Sequence, residues 1–290
     1  MSEPSPVDEY LRLRRKYVEV TAITDVRARG AALLELQRNQ RACVARLLEM
    51  DHADPHVSHA IGDAYATGRG VPSDRLKALG WLRRAAQADI VEAMVSFHSC
   101  AAWSDNRAAL AEGILWLRRG AELGFAGAMV WLGFACREGR GVEADYDLAV
   151  GWFSKAVKAG DVKALMHVGR MYAEYMDRHD EAVKAFLRAS EEGITASHTC
   201  LAWLYANPES PVFSAVDAHY WYERVMEEGG RSAARAMLGL ARLHLSGRGL
   251  PVNLPLARQW LKRLMDAVSE DSPFHSQAAK LLSELADSML

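Results

Sequence analysis

Cysteines are scarce in this 290-residue sequence, and none of them lie at short spacing. Cys43, Cys100, Cys136 and Cys200 are at least 36 residues apart, so the Cys-x-x-Cys pairs that bind zinc or carry out redox chemistry are missing. We expect four free, buried thiols. The first nine residues show no basic stretch followed by an apolar one, which predicts a cytoplasmic protein without a secretory signal.

An excess of charge of one sign is also missing. The chain has 35 basic and 37 acidic side chains and a net charge of −2, so it lacks the field that favours binding to a phosphate backbone. Nucleic acid is therefore not an expected partner. Charged residues interrupt every apolar run before it reaches the roughly 18 residues of a membrane span. We interpret the basic run from Arg12 to Lys16 as a solvated helix face.

Sequence motifs of common catalytic sites are absent. The sequence contains no Gly-x-x-x-x-Gly-Lys-Ser/Thr, no Gly-x-Ser-x-Gly and no His-Glu-x-x-His, which predicts neither a phosphate cradle, nor a serine elbow, nor a zincin helix. His52, His56 and His59 surround an Asp54-Pro55 pair. Such a cluster could bind a metal, but we favour a helix that begins at Pro55 and is capped by Asp54. No cofactor and no metal are expected.

The sequence does contain a repeat of about 36 residues. A bulky aromatic residue followed by Leu, Phe or Tyr recurs at spacings of 35, 36, 34, 35 and 39, with a mostly small residue three positions earlier, on the same helical face. A glycine follows seven or eight positions later in four repeats, where it would end a helix. We call these positions the aromatic column: Trp81-Leu82, Trp116-Leu117, Trp152-Phe153, Phe186-Leu187, Trp221-Tyr222 and Trp260-Leu261.

A second column precedes the first by about half a period. It pairs an apolar residue with a usually tiny one, which lets another helix approach closely. Three repeats have a Gly-x-Gly turn between the columns, and in the sixth this turn is read as two residues longer. We call these positions the small-residue column: Ile61-Gly62, Phe97-His98, Leu132-Gly133, Val168-Gly169, Leu201-Ala202 and Leu238-Gly239.

These columns predict an all-α chain of stacked helix pairs. Each pair has two faces that only neighbouring pairs can cover. We expect capping helices over 1–54, six repeats over 55–268 and a C-terminal capping helix over 269–290. The repeats run over 55–89, 90–124, 125–160, 161–193, 194–230 and 231–268.

The residues that carry the pattern resemble the Sel1-like repeat, a relative of the tetratricopeptide repeat. The resemblance is strongest in repeat 1 and covers about 215 residues. It implies a right-handed α-solenoid that binds proteins and has no catalytic residue. Some members are linked to β-lactam hydrolysis, but no Ser in this chain is followed three positions later by Lys. The matching residues of repeat 1 are Ile61, Gly62, Tyr65, Gly68, Gly70, Val71, Asp74, Lys77, Ala78, Trp81, Ala85 and Ala86.

The resemblance also implies which side chains line the concave groove. If the tiny residue is the eighth position of a tetratricopeptide unit, the first helix of each repeat presents the residues six and three before it, and one and four after it, to the groove. In repeat 6 these would include Ala236 and Leu240. Aromatic and arginine side chains are typical anchors of protein partners. We therefore predict a partner-binding groove that contains His59, Asp63, Trp103, Phe134, Arg137, Met166, Arg170 and Trp203.

Several alternatives stay open at this point. Phe134 and Trp203 could pack between neighbouring helices instead of facing a partner. The leading hypothesis is a non-enzymatic scaffold, monomeric, that binds another protein or a peptide, as an immunity protein for a secreted effector or within a regulatory complex. A hydrolase with a site near His59 and Asp63 is a second hypothesis, and a self-stacking structural oligomer is a third.

Overall fold

The computed structural model describes residues 4–50, 52–104 and 106–287, and the regular elements in these residues are all helical. A π-helical turn, Met171–Tyr175, continues α9, and a 3-10 turn, Gly230–Ser232, precedes α13. None of the described helices is long and apolar enough to cross a membrane. The α-helices of the described residues are α1 (Pro6–Thr21), α2 (Val26–Glu49), α3 (Pro55–Thr67), α4 (Arg75–Gln87), α5 (Val91–Ala102), α6 (Arg107–Glu122), α7 (Ala126–Glu138), α8 (Tyr146–Lys158), α9 (Ala164–Arg170), α10 (His179–Glu191), α11 (Ala196–Ala206), α12 (Ala215–Glu228), α13 (Ala233–Ser246), α14 (Leu254–Ala267) and α15 (Pro273–Asp287).

The helices form two compact units, one up to Asp161 and one from Val162 onward. The N-terminal unit holds α1 to α8 and the C-terminal unit holds α9 to α15. Within each unit an odd-numbered helix packs against the even-numbered helix that follows it, and that second helix packs against the first helix of the next pair. First helices also contact one another, as α3 with α5 and α11 with α13. The prediction of an all-α repeat fold is confirmed.

Helix caps follow the sequence signals. Asp54, Asp74 and Asp145 each accept a backbone N–H of the first turn of their helix, which satisfies a donor that has no partner inside the helix. The glycines eight positions after the aromatic column adopt left-handed backbone angles, with φ of 82° at Gly124 and 100° at Gly160. These glycines follow the end of the second helix in repeats 2, 3 and 5, as predicted.

The small-residue column holds the two helices of a pair together. A Cβ atom on Gly62 would lie 2.7 Å from Leu82 Cγ, and one on Gly133 would lie 2.6 Å from Phe153 Cε1. The buried partner is thus the residue that follows the tryptophan. Trp81 itself is only half-buried and packs against the cluster of buried residues from α1, α2 and α3. The repeat pattern predicts that the tryptophans of the aromatic column are core residues, but all five are only half-buried, namely Trp81, Trp116, Trp152, Trp221 and Trp260.

The register of repeat 4 differs from the prediction by one residue. A Cβ on Gly169 would contact Phe186, 2.5 Å from Cε1, so Phe186 takes the place of Leu82 rather than that of Trp81. The small residue of this helix is then Ala182, which is fully buried, and not Val183. The same shift places Gly193 eight residues after Ala185, as in the other repeats.

Repeat 6 is also shifted, by two residues. A Cβ on Gly239 would collide with the ring of Tyr222, which belongs to the preceding repeat, and not with a side chain of α14. Ala241 is the fully buried small residue of α13. It lies six residues before Gly247, as Gly62 lies six residues before Gly68. The turn of repeat 6 therefore has the ordinary length, and the predicted extension is wrong.

Backbone hydrogen bonds support the corrected register. In repeat 1 the N–H of Asp74 donates to the carbonyl of Tyr65, three residues after Gly62, at 3.0 Å. In repeat 6 the N–H of Asn253 donates to the carbonyl of His244 at 2.9 Å. His244 lies three residues after Ala241, so the two turns are equivalent.

The N-terminal helices α1 and α2 stack as a further helix pair. Gly70, the second glycine of the first Gly-x-Gly turn, lies against the backbone of α2 at Gln40. Gly141 lies in the same way against Leu110 of α6, and Gly249 against Ala215 of α12. The second helix α2 thus occupies the position that α6 and α12 occupy for later turns. At the other end, α15 contacts both α13 and α14, as the first helix of a following pair would.

All four cysteines are free, as the spacing predicts. Cys43, Cys100 and Cys136 are buried, and Cys200 is half-buried. Burial raises the pKa of each thiol above its ordinary value, for Cys43 to about 11. They are therefore protonated and unreactive near neutral pH.

Candidate partner-binding site

The first helices of the N-terminal unit form a cleft around Trp103, which we call the Trp103 cleft. It lies between α5 and α7, has a volume of about 260 Å³ and is lined by Ser99, Trp103, Phe134 and Arg137 among others. Trp103 is 69% exposed. Phe134 is half-buried, because its ring packs at 5.3 Å from that of Phe153.

The two arginines of the Trp103 cleft are already paired with a carboxylate of the chain. Arg137 forms an ion pair with Glu138 and lies 5.0 Å from the centre of the Phe134 ring. Arg140 Nε lies 2.8 Å from Glu138 Oε2. One carboxylate therefore holds both arginines, and the cleft presents mainly aromatic surface to a partner.

The C-terminal unit has a larger cleft, which we call the Trp203 cleft. It has a volume of about 850 Å³ and lies among α11, α13 and α15. Trp203 lines it and is 50% exposed. Its wall also contains Phe213 and Phe274, and no described Asp or Glu lines it. Three exposed arginines complete the lining, Arg235, Arg242 and Arg248.

The sequence analysis missed these arginines because of the register of repeat 6. With Gly239 as the small residue, Ala236 and Leu240 were expected to face the groove, but both are buried. With Ala241 as the small residue, Arg242 follows directly after it and Arg235 lies six positions before it. Both are positions at which tetratricopeptide-like helices face a groove. The spacing to the Gly-x-Gly turn was the signal that could have identified them.

Asp63 is engaged by the N-terminal helix and does not face open space. It is buried, and its Oδ2 accepts a hydrogen bond from the hydroxyl of Tyr10 at 2.8 Å. Arg14 and Arg69 lie 3.5 and 4.0 Å from its carboxylate oxygens. Burial and the neighbouring Asp63 raise the pKa of Tyr10 far above its ordinary value, so the phenol stays protonated and remains a donor.

His59 lies in the same region and is partly covered. Burial lowers its pKa, against the opposing effect of Asp63. No group of three or more described His, Cys, Asp or Glu residues is placed to bind a metal ion. Because Tyr10 and two arginines occupy the carboxylate of Asp63, this carboxylate is not free to act together with His59 as the hydrolase hypothesis requires.

Met166 and Arg170 belong to the C-terminal unit. Met166 is half-buried and packs against the cluster that includes Phe186 and Leu201. Arg170 is exposed on the same helix, and its positive charge opposes the rise that burial causes in the pKa of Cys200. The predicted groove residues are thus distributed over two units, with Trp103, Phe134 and Arg137 together in one and Trp203 in the other.

A chain of three polar side chains joins α10, α11 and α12. Ser190 Oγ lies 2.8 Å from His198 Nε2, and His198 Nδ1 contacts a carboxylate oxygen of Glu228. This order of groups is that of a serine hydrolase triad. Such a nucleophile also needs N–H donors for the oxyanion, and Ser190 lies in the last turn of α10, where the unpaired backbone groups are carbonyls. We interpret the chain as a structural junction.

The junction predicts a specific stability effect. Glu228→Ala is expected to lower the free energy of unfolding by about 1–3 kcal/mol, because it leaves a buried His198 nitrogen without its partner. In repeats 1 and 2, Ala86 and Met94 occupy the positions of Ser190 and His198. Chemical denaturation measures the loss.

The matched control is the double variant Ser190→Ala with His198→Met. It replaces the two polar groups together by the residues that repeats 1 and 2 bury at these positions, so we expect its free energy of unfolding to stay within about 1.5 kcal/mol of the wild type. A double variant that loses as much stability as Glu228→Ala or more would contradict the interpretation.

Comparison with known proteins agrees with the fold described above. The model of the Sel1 repeat family matches residues 58–90, 110–125, 126–161 and 234–264. A Sel1 repeat protein from Oxalobacter formigenes has a similar structure, with a TM-score of 0.53 at 24% identity over 82% of this chain and 98% of that one. The protective antigen c5321 of uropathogenic Escherichia coli, described as having an SLR fold, has a TM-score of 0.56 at 18% identity over 97% of this chain and 69% of that one.

A curated relative shares sequence with part of the chain. It is a chitin synthase regulator, SKT5, of Malassezia restricta, 31% identical over 137 residues. The match covers 43% of this chain and only 9% of that protein. The family model falls on repeats 1, 3 and 6, where the predicted motif is strongest, and extends into repeat 2. The chain therefore contains Sel1 repeats, at the four segments that the family model matches.

Proposed function

We propose that this protein is a non-enzymatic scaffold that binds a segment of a partner protein in the clefts that the first helices form within its units. The Sel1 repeat fold is typical of protein-interaction scaffolds. The observation that carries the proposal is Trp203, a half-exposed aromatic beside three arginines in a cleft of the C-terminal unit. Trp and Arg are the residue types that contribute most to protein interfaces.

The Trp103 cleft supports the same function. The exposed Trp103 and other aromatic side chains line the cleft between α5 and α7. A preformed, rigid cleft of this kind loses little conformational entropy on binding. The curated relative is named as a regulator of an enzyme, which fits a chain that acts through another protein. Both kinds of partner that the sequence analysis leaves open, an effector and a regulatory complex, would use such clefts.

Capture from native lysate followed by quantitative mass spectrometry tests the proposal. The test variant carries Trp103→Ala, Arg137→Ala and Trp203→Ala, which remove cleft anchors and spare the half-buried Phe134. We expect the captured amount of at least one protein to fall by about tenfold or more. This is the effect of losing about 1.4 kcal/mol or more of binding free energy.

The matched control removes exposed apolar side chains from second helices. Leu115 of α6 and Val216 of α12 are 63% and 61% exposed, and their double substitution by Ala leaves both clefts intact. Its capture pattern should equal that of the wild type. A capture pattern that the cleft variant leaves unchanged, or that the control changes as much, would rule out the two clefts as the binding surface. Circular dichroism checks that both variants are folded.

A further inference from the structure

We infer that the Trp203 cleft binds an acidic peptide segment, whose carboxylates pair with Arg235, Arg242 and Arg248 while an apolar side chain packs on Trp203. This inference rests on the proposed function, because the segment belongs to the partner protein. It adds the chemistry of the partner, which neither the family nor the curated relative specifies.

The first observation is the state of the arginines in the two clefts. In the Trp103 cleft, Glu138 holds Arg137 and Arg140. In the Trp203 cleft no Asp or Glu of the described residues lines the wall. None of the described carboxylates lies within ion-pair distance of the three arginines either. The positive charge of this cleft is therefore available to a ligand.

The second observation is how arginines elsewhere in the chain bind carboxylates. Arg83 donates through Nε and Nη2 to the two carboxylate oxygens of Glu112, both at 2.7 Å. Arg119 donates in the same way to the two carboxylate oxygens of Asp89, both at 3.0 Å. The ion pair with Arg83 lowers the pKa of Glu112. A planar guanidinium matches a carboxylate in this two-point geometry. In the Trp203 cleft Arg242 has a neutral amide as its partner in place of a carboxylate, since its Nη2 donates to Gln277 Oε1 at 3.0 Å.

The third observation is the apolar half of the cleft. Trp203 is half-exposed, and Phe213 and Phe274 line the same space. An aromatic or aliphatic side chain of the ligand would bury area there, so the cleft favours a peptide over a free acid. The volume of about 850 Å³ lies within the range of built binding sites.

The electrostatic balance favours a protein segment over a nucleic acid. The whole chain carries a net charge of −2, and three arginines in one cleft cannot replace the basic surface along which a phosphate backbone is held. A short peptide with a few carboxylates needs only a local match. RNA is therefore an outcome that the experiment must distinguish.

Fluorescence anisotropy with defined probes tests the inference on the full chain. The probe is a fluorescein-labelled peptide, Gly-Asp-Glu-Leu-Asp-Glu-Phe-Gly, and its counterpart has Asn and Gln in place of Asp and Glu. We expect the acidic probe to bind at least tenfold more tightly than the amide counterpart, and its affinity to fall with added salt. Equal binding of the two peptides would overturn the inference.

The decisive variant is Gln277→Glu. It places a carboxylate where Gln277 Oε1 already meets Arg242, and so copies the role that Glu138 has in the other cleft. We expect it to weaken binding of the acidic probe about tenfold. Gln277→Ala, which leaves Arg242 open, should bind at least as well as the wild type. Equal affinities of Gln277→Glu and Gln277→Ala would overturn the inference.

Charge controls complete the test. Arg242→Ala should weaken binding of the acidic probe about tenfold. Arg224→Ala removes the same charge from α12, outside the cleft, and should leave the affinity for the acidic probe unchanged. The double variant Arg235→Glu and Arg242→Glu should no longer bind the acidic probe. It should instead bind a counterpart peptide with Lys in place of Asp and Glu. A single-stranded RNA decamer that binds the wild type more tightly than the acidic probe would overturn the inference.

The two proposals fail in different ways. If lysate capture depends on the clefts while the acidic probe does not bind, the ligand chemistry is wrong and the scaffold proposal stands. If the probe binds as predicted but no captured protein responds to the cleft variant, the inference is supported and the scaffold proposal is wrong.

Discussion

Gly70→Ala is expected to lower the free energy of unfolding by about 3 kcal/mol and to loosen the N-terminal helix pair. Gly70 has a φ of 80°, and a Cβ there would lie 2.5 Å from the carbonyl oxygen of Gln40 and 2.9 Å from Val44 Cγ2. The left-handed backbone costs an L-residue about 1–2 kcal/mol, and overpacking against α2 adds about 1–3 kcal/mol. Chemical denaturation gives the total, and hydrogen exchange of α1 and α2 locates it.

Gly68→Ala separates the two contributions. Gly68 has a φ of 72°, but a Cβ there would meet nothing closer than Ser73 Cβ at 3.5 Å. We therefore expect a loss of about 1–2 kcal/mol from the backbone alone, with unchanged exchange in α1 and α2. Equal losses for the two substitutions would show that Gly70 does not hold the N-terminal pair in place.

The repeat pattern predicts the fold because each helix pair must bury the same two faces. A small residue has to stand opposite a large one wherever helices cross closely, so columns of Gly and Ala reveal the crossings. The pattern does not fix the register within a column. In repeat 4 the aromatic residue Phe186 stands one position later than the tryptophans of the other repeats, and in repeat 6 both Gly239 and Ala241 satisfy the small-residue pattern. Only the side chain packed opposite decides the register.

The N-terminal pair shows the same limit. Helices α1 and α2 stack on α3, yet their sequence lacks both columns. The signal lies instead in the first repeat, where the second glycine of the Gly-x-Gly turn lies against α2. The second glycine of this turn predicts a helix beside it only once the Gly-x-Gly turns of repeats 3 and 6 show that such a glycine packs against the preceding second helix.

The candidate site was predicted in part. Trp103, Phe134 and Arg137 lie together in one cleft and Trp203 lines another, so the choice of aromatic and arginine residues was informative. Asp63 satisfied the same positional rule but binds Tyr10, from a segment 53 residues earlier in the chain. Sequence position gives the face of a helix, and a distant segment decides whether that face is covered.

Repeat 2 replaces the tiny residue of its first helix by a histidine. His98 is buried at the position that Gly62 and Gly133 occupy in repeats 1 and 3. The opposite helix compensates, because Gly113 stands where the other repeats have a Cβ, and a Cβ there would lie 3.0 Å from His98 Cα. The imidazole fills the space, and its Nδ1 is buried without a hydrogen-bond partner among the described residues.

This buried imidazole is expected to make the fold sensitive to acid. Burial, with a smaller effect of the positive charge on Arg140, lowers the pKa of His98 from 6.5 to about 4. In the unfolded chain the ring binds a proton below about pH 6.5, while in the folded chain it stays neutral until about pH 4. The unfolded state therefore binds more protons in this window, and the free energy of unfolding falls with decreasing pH, by up to about 3 kcal/mol from this group.

Denaturation of the wild type and of His98→Asn between pH 7 and pH 4 measures this contribution. Asn cannot titrate, and it is close to the imidazole in size. The stability that the variant loses through changed packing is therefore the same at every pH. Below pH 6.5 the free energy of unfolding of the variant should fall less steeply than that of the wild type. The difference between the two slopes belongs to His98, because His59 and His244, whose pKa values burial also lowers, are present in both proteins. Parallel pH profiles would mean that His98 binds its proton equally well in the folded chain, and an NMR titration of its ring would then show a pKa near 6.5 instead of near 4.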